Sequence, residues 1–191
     1  MQALRTIQTT FVPMAQANID TDQIIPARFL QKPRREGCGP WLFHDLREDP
    51  AFVLNQPAYR DARALVAAQN FGCGSSRENA VWALYDYGFR VVIAPSFGDI
   101  FYNNCLQNGL LPVRLPHAQV DTLLAASPAE LIAVDLESQA VQFGEEQWSF
   151  AIDPFAKHCL LGGIDELEYT LSQLDVIVAF ERKQMEQSTK A

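Results

Sequence analysis

ALVAAQNFGCGSSRENAVWALYDYGFRVVIA, residues 64–94, reads as a strand, a glycine-bearing turn, a helix and a second strand. Residues 64–68 form a short apolar run suited to a buried strand. Asn70-Phe71-Gly72-Cys73-Gly74-Ser75-Ser76 follows as a turn. Over residues 77–87 the spacing of Ala80, Val81, Leu84 and Tyr87 predicts a helix with one apolar side. Gly88 suits its C-terminus, where left-handed backbone is wanted. Residues 89–94 then read as a strand of the buried type. A strand that returns through a single helix pairs in parallel, by a right-handed crossover.

The same grammar extends outward. Residues 97–107 read as a helix ended by Gly109, and residues 110–115 as a further strand. Residues 4–12 are β-prone. Asn18-Ile19-Asp20-Thr21-Asp22 offers helix-capping side chains ahead of Ile24 and Ile25, with Pro26 expected in a first helical turn. Residues 31–39 are basic and hold Pro33, Gly37 and Gly39, which predicts a loop. Residues 41–47 suggest a short helix. Beyond residue 115 the expectation is a helix over 119–126. Three short strands follow at 131–136, 140–143 and 147–152, then a helix over 165–184. The whole is α/β with a mixed sheet, crossover helices and additional short strands.

The chain's 191 residues suit one domain, and 48% of them are apolar, enough for a sizeable core. The net charge of −8 argues against a nucleic-acid or anionic-membrane surface, which needs a basic footprint. The local exception is Arg28, Lys32, Arg34 and Arg35. These read either as a solvated loop or as a lid that attracts an anion or an acidic partner. Residues 1–13 lack the apolar segment and cleavage site of a signal peptide. The run of about 18 apolar residues that a membrane helix requires is not found. Cys38, Cys73, Cys105 and Cys159 are scattered, with no metal-ligand spacing, so free thiols and a chain holding no metal by itself are expected.

Chemistry concentrates at Gly72-Cys73-Gly74-Ser75-Ser76-Arg77-Glu78-Asn79, between a strand and a helix. Ligands of open α/β sheets bind outside the carboxyl ends of strands. Glycines allow close backbone approach, a helix start presents polarised N–H groups, and a guanidinium fits a carboxylate in two-pronged fashion. The same residues also read as a plain capped helix, with Ser75 or Ser76 at the cap. Neither a Walker loop nor a dinucleotide fingerprint is present, since no Gly-Lys-Ser/Thr follows and Arg77 stands where a third glycine belongs. Asp99, Asn103, Asn104 and Asn108 form a second polar cluster. Asp20 and Asp22 read as helix caps or as substrate contacts.

Four ordered blocks carry a family resemblance. Gly74-Ser75-Ser76-Arg77-Glu78 resembles the Gly-Ser-Ser-Arg-Glu signature of the aconitase-superfamily swivel domain. Residues 18–26, NIDTDQIIP, resemble the N-terminal signature of isopropylmalate dehydratase small subunits. Residues 96–105, SFGDIFYNNC, with NGLLP at 108–112, are similar to a third block of that family. A C-terminal pattern is matched by Ile152-Asp153-Pro154-Phe155, Lys157-His158-Cys159-Leu160-Leu161, Thr170-Leu171 and Phe180-Glu181.

The resemblance implies a swivelling β/β/α domain over residues 1–183, followed by a polar tail at 184–191. It implies a cytoplasmic hydro-lyase subunit of leucine biosynthesis, active only as a heterodimer with a large subunit that carries a [4Fe-4S] cluster. The reaction would interconvert 2-isopropylmalate and 3-isopropylmalate by removing and re-adding water. By similarity Ser75 is the catalytic base, and Gly74, Ser76 and Arg77 bind a substrate carboxylate. Arg28, Lys32, Arg34 and Arg35 fall on a substrate-discriminating loop, with Asp20, Asp22, Asn79, Asn103 and Asn104 as supporting residues. The sequence departs from the family at Asn79, where histidine is usual, at Val81, at Gly98, where alanine is common, and at 167–169. Asn79 keeps hydrogen bonding but carries no proton charge near neutrality. Two alternatives stand beside the first reading. One is a related dehydratase for homoaconitate, citramalate or dimethylmalate, and the other a non-catalytic anion-binding module.

Overall fold

The computed structural model describes residues 1–31 and 37–188, with side chains through Met185. Lys32, Arg34 and Arg35 lie outside the described residues. Parallel and antiparallel pairing both occur, as expected of a mixed β structure, but they are divided between two sheets. Strands β2 (Phe11–Met14), β3 (Ala64–Ala67), β4 (Val91–Ala94) and β5 (Leu111–Arg114) form one parallel sheet in that order. Strands β1 (Thr6–Thr9), β6 (Ile132–Asp135), β7 (Ala140–Phe143) and β8 (Glu146–Ser149) form an antiparallel sheet in the order β1-β6-β7-β8.

The β-prone run at residues 4–12 therefore serves both sheets. Thr9 pairs with Ile132 of one, and Phe11 with Ala64 of the other. The break at Thr10 is fastened by the buried Thr9 hydroxyl, which donates to Thr10 O at 2.8 Å and accepts the Arg63 N–H at 3.0 Å.

Alternate side chains of the parallel sheet feed two cores, as the period of two requires. Val12, Met14, Leu65, Ala67, Val92 and Ala94 face α1 (Thr21–Ile24), α2 (Glu78–Tyr87) and α3 (Asp99–Gln107). Phe11, Ala64, Val66, Val91, Ile93, Leu111 and Val113 face α4 (His117–Leu124) and the antiparallel sheet. The layers are thus helices, parallel sheet, then antiparallel sheet with α4. Both faces of the parallel strands are covered, which is why they read as continuous apolar runs.

Local departures from the sequence reading have physical causes. Pro26 is not in the first turn of a helix. Helix α1 ends at Ile24, and Ile25 is extended (φ −144°, ψ 112°), the region favoured before proline. Residues 41–47 are not one helix but lie between tight 3₁₀ turns at Gly39–Trp41 and Leu46–Glu48. Phe43, fully buried with φ 48°, interrupts them and donates its N–H to Ile24 O at 2.7 Å.

After α5 (Pro154–Gly162), the helix expected over 165–184 divides into α6 (Glu166–Ser172) and α7 (Leu174–Ser188), the second reaching into the expected polar tail. Leu167, Leu171, Leu174, Val176, Val178 and Phe180 of these helices are exposed.

Candidate active site

Three loops leave the carboxyl ends of β2, β3 and β4 and continue the parallel sheet past its edge. Asn18 N–H donates to Gln69 O at 3.0 Å, Gly72 N–H to Ile19 O at 2.7 Å, and Thr21 N–H to Cys73 O at 3.0 Å. On the other side, Phe71 N–H donates to Ser96 O at 3.0 Å and Gly98 N–H to Phe71 O at 2.9 Å. The β3 loop is therefore stitched between its neighbours, in the order of the strands they extend.

The stitching requires glycine at two points. A Cβ at Gly98 would stand 2.5 Å from Gly72 O, so only a bare backbone passes there. Gly72 has φ +70°, and a Cβ on it would meet the Phe101 ring at 2.2 Å. Asn18 and Asn70 also take left-handed backbone (φ 57° and 60°), which asparagine tolerates, and the Asn70 amide donates to Asn18 Oδ1 at 2.8 Å.

The platform presents Gly74, Ser75 and Ser76, all exposed, with Arg77 half-buried behind them. Neither serine caps α2. The cap position belongs to Arg77, with no side-chain bond to the helix, and the Arg77 N–H turns back to Ser75 O at 2.9 Å. The helix thus begins one residue later than a Ser76 cap requires and two later than a Ser75 cap, and Ser75 is left to line a cleft.

That cleft, 240 Å³, is lined by Gly72, Gly74, Ser75, Gly98, Asp99, Ile100 and Phe101. The helix start beside Ser75 is therefore that of α3, in addition to the start of α2 anticipated from the sequence. Gly98 at its cap offers no side-chain acceptor, so the first-turn amides carry their partial positive charge without a capping side chain.

The supporting residues sort differently from one another. Asp20 is the N-cap of α1, in a reciprocal capping box with Gln23. Asp22 accepts the Arg77 Nη1 proton in an ion pair and the Ala27 N–H at 2.9 Å. The Arg77 hydrogen bond holds the Asp22 carboxyl below the usual carboxylate range, against a smaller opposing effect of burial. Arg28 is engaged by Asp45 at 3.0 Å and lies 3.3 Å from His44 Nδ1. Asn79 is half-buried in the first turn of α2. Asn103 lines a different cleft, with Phe155 and Cys159, and is not brought to Ser75. The Asn104 carbonyl caps the end of α3 by accepting the Asn108 N–H at 3.1 Å.

One contributor, Thr21, escaped the sequence reading, and a second, Asn108 of the polar cluster, was named there without its partners. Thr21, 2% exposed, donates its hydroxyl to Ser75 O at 3.0 Å. Asn108 ties α2 to α3 by accepting from Trp82 Nε1 at 2.8 Å and donating to Glu78 Oε1 at 2.8 Å. The polar run NIDTD and the paired asparagines were the available signals, but the residues they reach were not.

The donor set does not suit an iron–sulfur cluster held by this chain. Cys38, Cys105 and Cys159 are buried, and burial pushes the Cys105 thiol well up. Among the described residues the grouping with metal-ligand proximity is His44, Asp45 and Glu48, which contains no cysteine and whose Asp45 already holds Arg28. Among the described residues no helix is long and apolar enough to cross a membrane. Chemically, the cleft offers an exposed hydroxyl beside the start of α3, and two residues along the chain stands a guanidinium pinned by Asp22, residue types suited to a carboxylate anion.

Comparison with known proteins agrees with this architecture. Residues 1–118 match the family profile "Aconitase C-terminal domain". The solved structure of a 3-isopropylmalate dehydratase from Methanocaldococcus jannaschii superposes with a TM-score of 0.67 at 23% identity. The match covers 97% of this chain and 99% of that one, so the fold is shared along essentially the whole length.

Proposed function

Since the chain belongs to the aconitase C-terminal domain family, we propose that it is the small subunit of a hydro-lyase that interconverts 2-isopropylmalate and 3-isopropylmalate in leucine biosynthesis. The observation that carries the reading is the exposed Gly74-Ser75-Ser76 corner, fixed at the carboxyl edge of the parallel sheet with Arg77 behind it. The structural likeness to an isopropylmalate dehydratase supports the choice of substrate.

In this reading Ser75 Oγ takes the proton from the carbon next to a substrate carboxylate. A neutral hydroxyl is a weak base, so its alkoxide needs electrostatic help. The first-turn amides of α3 and the Arg77 guanidinium supply it, and both act more strongly once water is excluded. Gly74, Ser76 and Arg77 hold the carboxylate. Arg77 presents its remaining N–H groups to the substrate, because one is already committed to Asp22. By the family resemblance, discrimination of the substrate's variable side falls to Arg28 and the basic residues that follow it in the sequence.

By family membership a [4Fe-4S] cluster on a large subunit would supply the electrophile that assists loss of hydroxide, since among the described residues no cysteine joins a group with metal-ligand proximity. An open cleft and the exposed apolar residues of α6 and α7 support a working unit that is a heterodimer, as such patches mark protein contacts. The setting is cytoplasmic, as for soluble biosynthetic enzymes.

Reconstitution tests the proposal. The chain alone should be inactive, and mixing it with a cluster-loaded large subunit should yield turnover of 3-isopropylmalate. Ser75→Ala should cut kcat on the order of 10²- to 10⁴-fold, the usual worth of a positioned base, while the complex still assembles. Undiminished kcat would remove Ser75 from the role. Asn79, where the family usually has histidine, favours a second reading in which the diacid is homoaconitate, citramalate or dimethylmalate. Screening those substrates in the same assay separates the two.

A further inference from the structure

We infer that Thr21 is a positioning residue for Ser75, acting through the backbone of the serine corner. The inference rests on the functional reading above and extends it to a residue that touches no substrate. Thr21 is 2% exposed, and its hydroxyl is among the few buried polar groups of the core. Both of its donors are spent on one loop: the N–H on Cys73 O at 3.0 Å and Oγ1 on Ser75 O at 3.0 Å.

These two bonds span Gly74, whose φ of +90° turns the chain at that point. The α1 turn packs closely enough that a Cβ on Gly74 would lie 3.4 Å from Asp20 Cβ and 3.9 Å from Thr21 Oγ1. Ser75 O accepts a second bond, from Arg77 N–H at 2.9 Å. Its peptide plane is thereby held from both sides while the side chain stays exposed. A glycine-flanked corner has little stiffness of its own. The direction of Ser75 Oγ is therefore set by Thr21, while Asp22, the next residue, sets the guanidinium of Arg77. One four-residue turn, locked by its capping box, thus aims both groups.

Isosteric Thr21→Val removes the hydroxyl and keeps the packing. Ser75 O retains its Arg77 partner, so the fold is expected to survive. In the reconstituted complex kcat should fall on the order of 10- to 100-fold with KM nearly unchanged, because misaim of a catalytic group acts on the chemical step. Asp22→Asn should instead act mainly on KM, through the carboxylate-binding guanidinium. Thr21→Ser should restore kcat. Thr9→Val removes a second buried threonine hydroxyl, at the opposite end of the sheet from the serine corner, and should lower Tm with kcat intact. Equal kcat for wild type and Thr21→Val, in a wild type that turns over, overturns the inference.

A measurement on the chain alone keeps the inference separate from the functional reading. Amide hydrogen exchange at residues 73–77 should accelerate in Thr21→Val while β3 and β4 stay protected, and unchanged exchange there overturns the inference whatever the substrate. Absence of turnover by the wild type with every diacid, alongside that accelerated exchange, would count against the functional reading and for the positioning role.

Discussion

Gly72→Ala is the substitution in which the fold and the site meet. The position has φ +70°, and an added Cβ would lie 2.2 Å from Phe101 Cγ and 2.5 and 2.6 Å from its two Cδ atoms. Phe101 has no room to swing away. It is 3% exposed and packed against Phe71 and Phe97, with ring centroids at 5.4 and 6.4 Å. Left-handed backbone costs a residue with a side chain roughly 1–2 kcal/mol. Forcing a methyl into a filled core costs about 1–3 kcal/mol more. The sum is roughly 2–5 kcal/mol. With a urea m-value of about 2 kcal/mol/M, a loss of about 3 kcal/mol lowers the denaturation midpoint by about 1.5 M.

Gly144→Ala isolates the backbone part, since Gly144 has φ +57° and nothing within 4 Å of its Cβ position. That variant should lose only the backbone cost of roughly 1–2 kcal/mol. Urea titrations of both variants, followed by far-UV circular dichroism, read the difference. Relief of the clash at residue 72 must shift a loop bonded to Ile19 and abutting Gly98, so kcat of the reconstituted complex should fall as well. A Gly72→Ala midpoint no lower than that of Gly144→Ala would refute the argument that Phe101 is fixed.

Two further outcomes follow from side-chain bonds. Asp22 has a folded-state pKa depressed by Arg77, so its contribution to stability is complete above the unfolded value near about 4 and is lost as pH falls through the folded value. Asp22→Asn should therefore show a shallower loss of stability in acid, and identical acid limbs for variant and wild type would contradict the pairing. Asn108→Ala removes the acceptor of Trp82 Nε1 and the donors to Glu78 Oε1 and Asn104 O. At about 1–3 kcal/mol for bonds of this kind, and about 2–4 °C per kcal/mol for a chain of this size, Tm should drop by roughly 5 °C. A drop under about 1 °C would show that water replaces these bonds at no cost.

Much of the architecture was legible in the sequence because parallel strands covered on both faces have no polar residues to spare. The runs at 64–68, 89–94 and 110–115 each yielded a strand, and the glycine-serine turn fell at a strand's carboxyl end as read. The failures share a cause. Residues 4–12 carry the same β-prone signal on either side of Thr10, and only pairing partners more than 50 residues away divide them between sheets. Residues 41–47 and Pro26 were misread because the backbone at Phe43 is dictated by a tertiary bond and that at Ile25 by the proline that follows it. Within the site, Ser75, Ser76 and Arg77 lay in one contiguous motif and could be singled out from local chemistry. Asn103 shared the polar character of its neighbours, yet the turn of α3 carries it to another cleft.

The sequence by itself determined the alternation of strands and helices, the glycines where backbones cross, and the residue types gathered in the serine corner, because each is written in local spacing and backbone freedom. Only the tertiary structure decided that the start of α3 shares the cleft with Ser75, that Asp22 occupies part of Arg77, and that a buried threonine 54 residues upstream holds the serine's carbonyl. Those relations depend on the register of three loops laid side by side. Register is set by the packing of the whole sheet, which no single segment of the chain encodes.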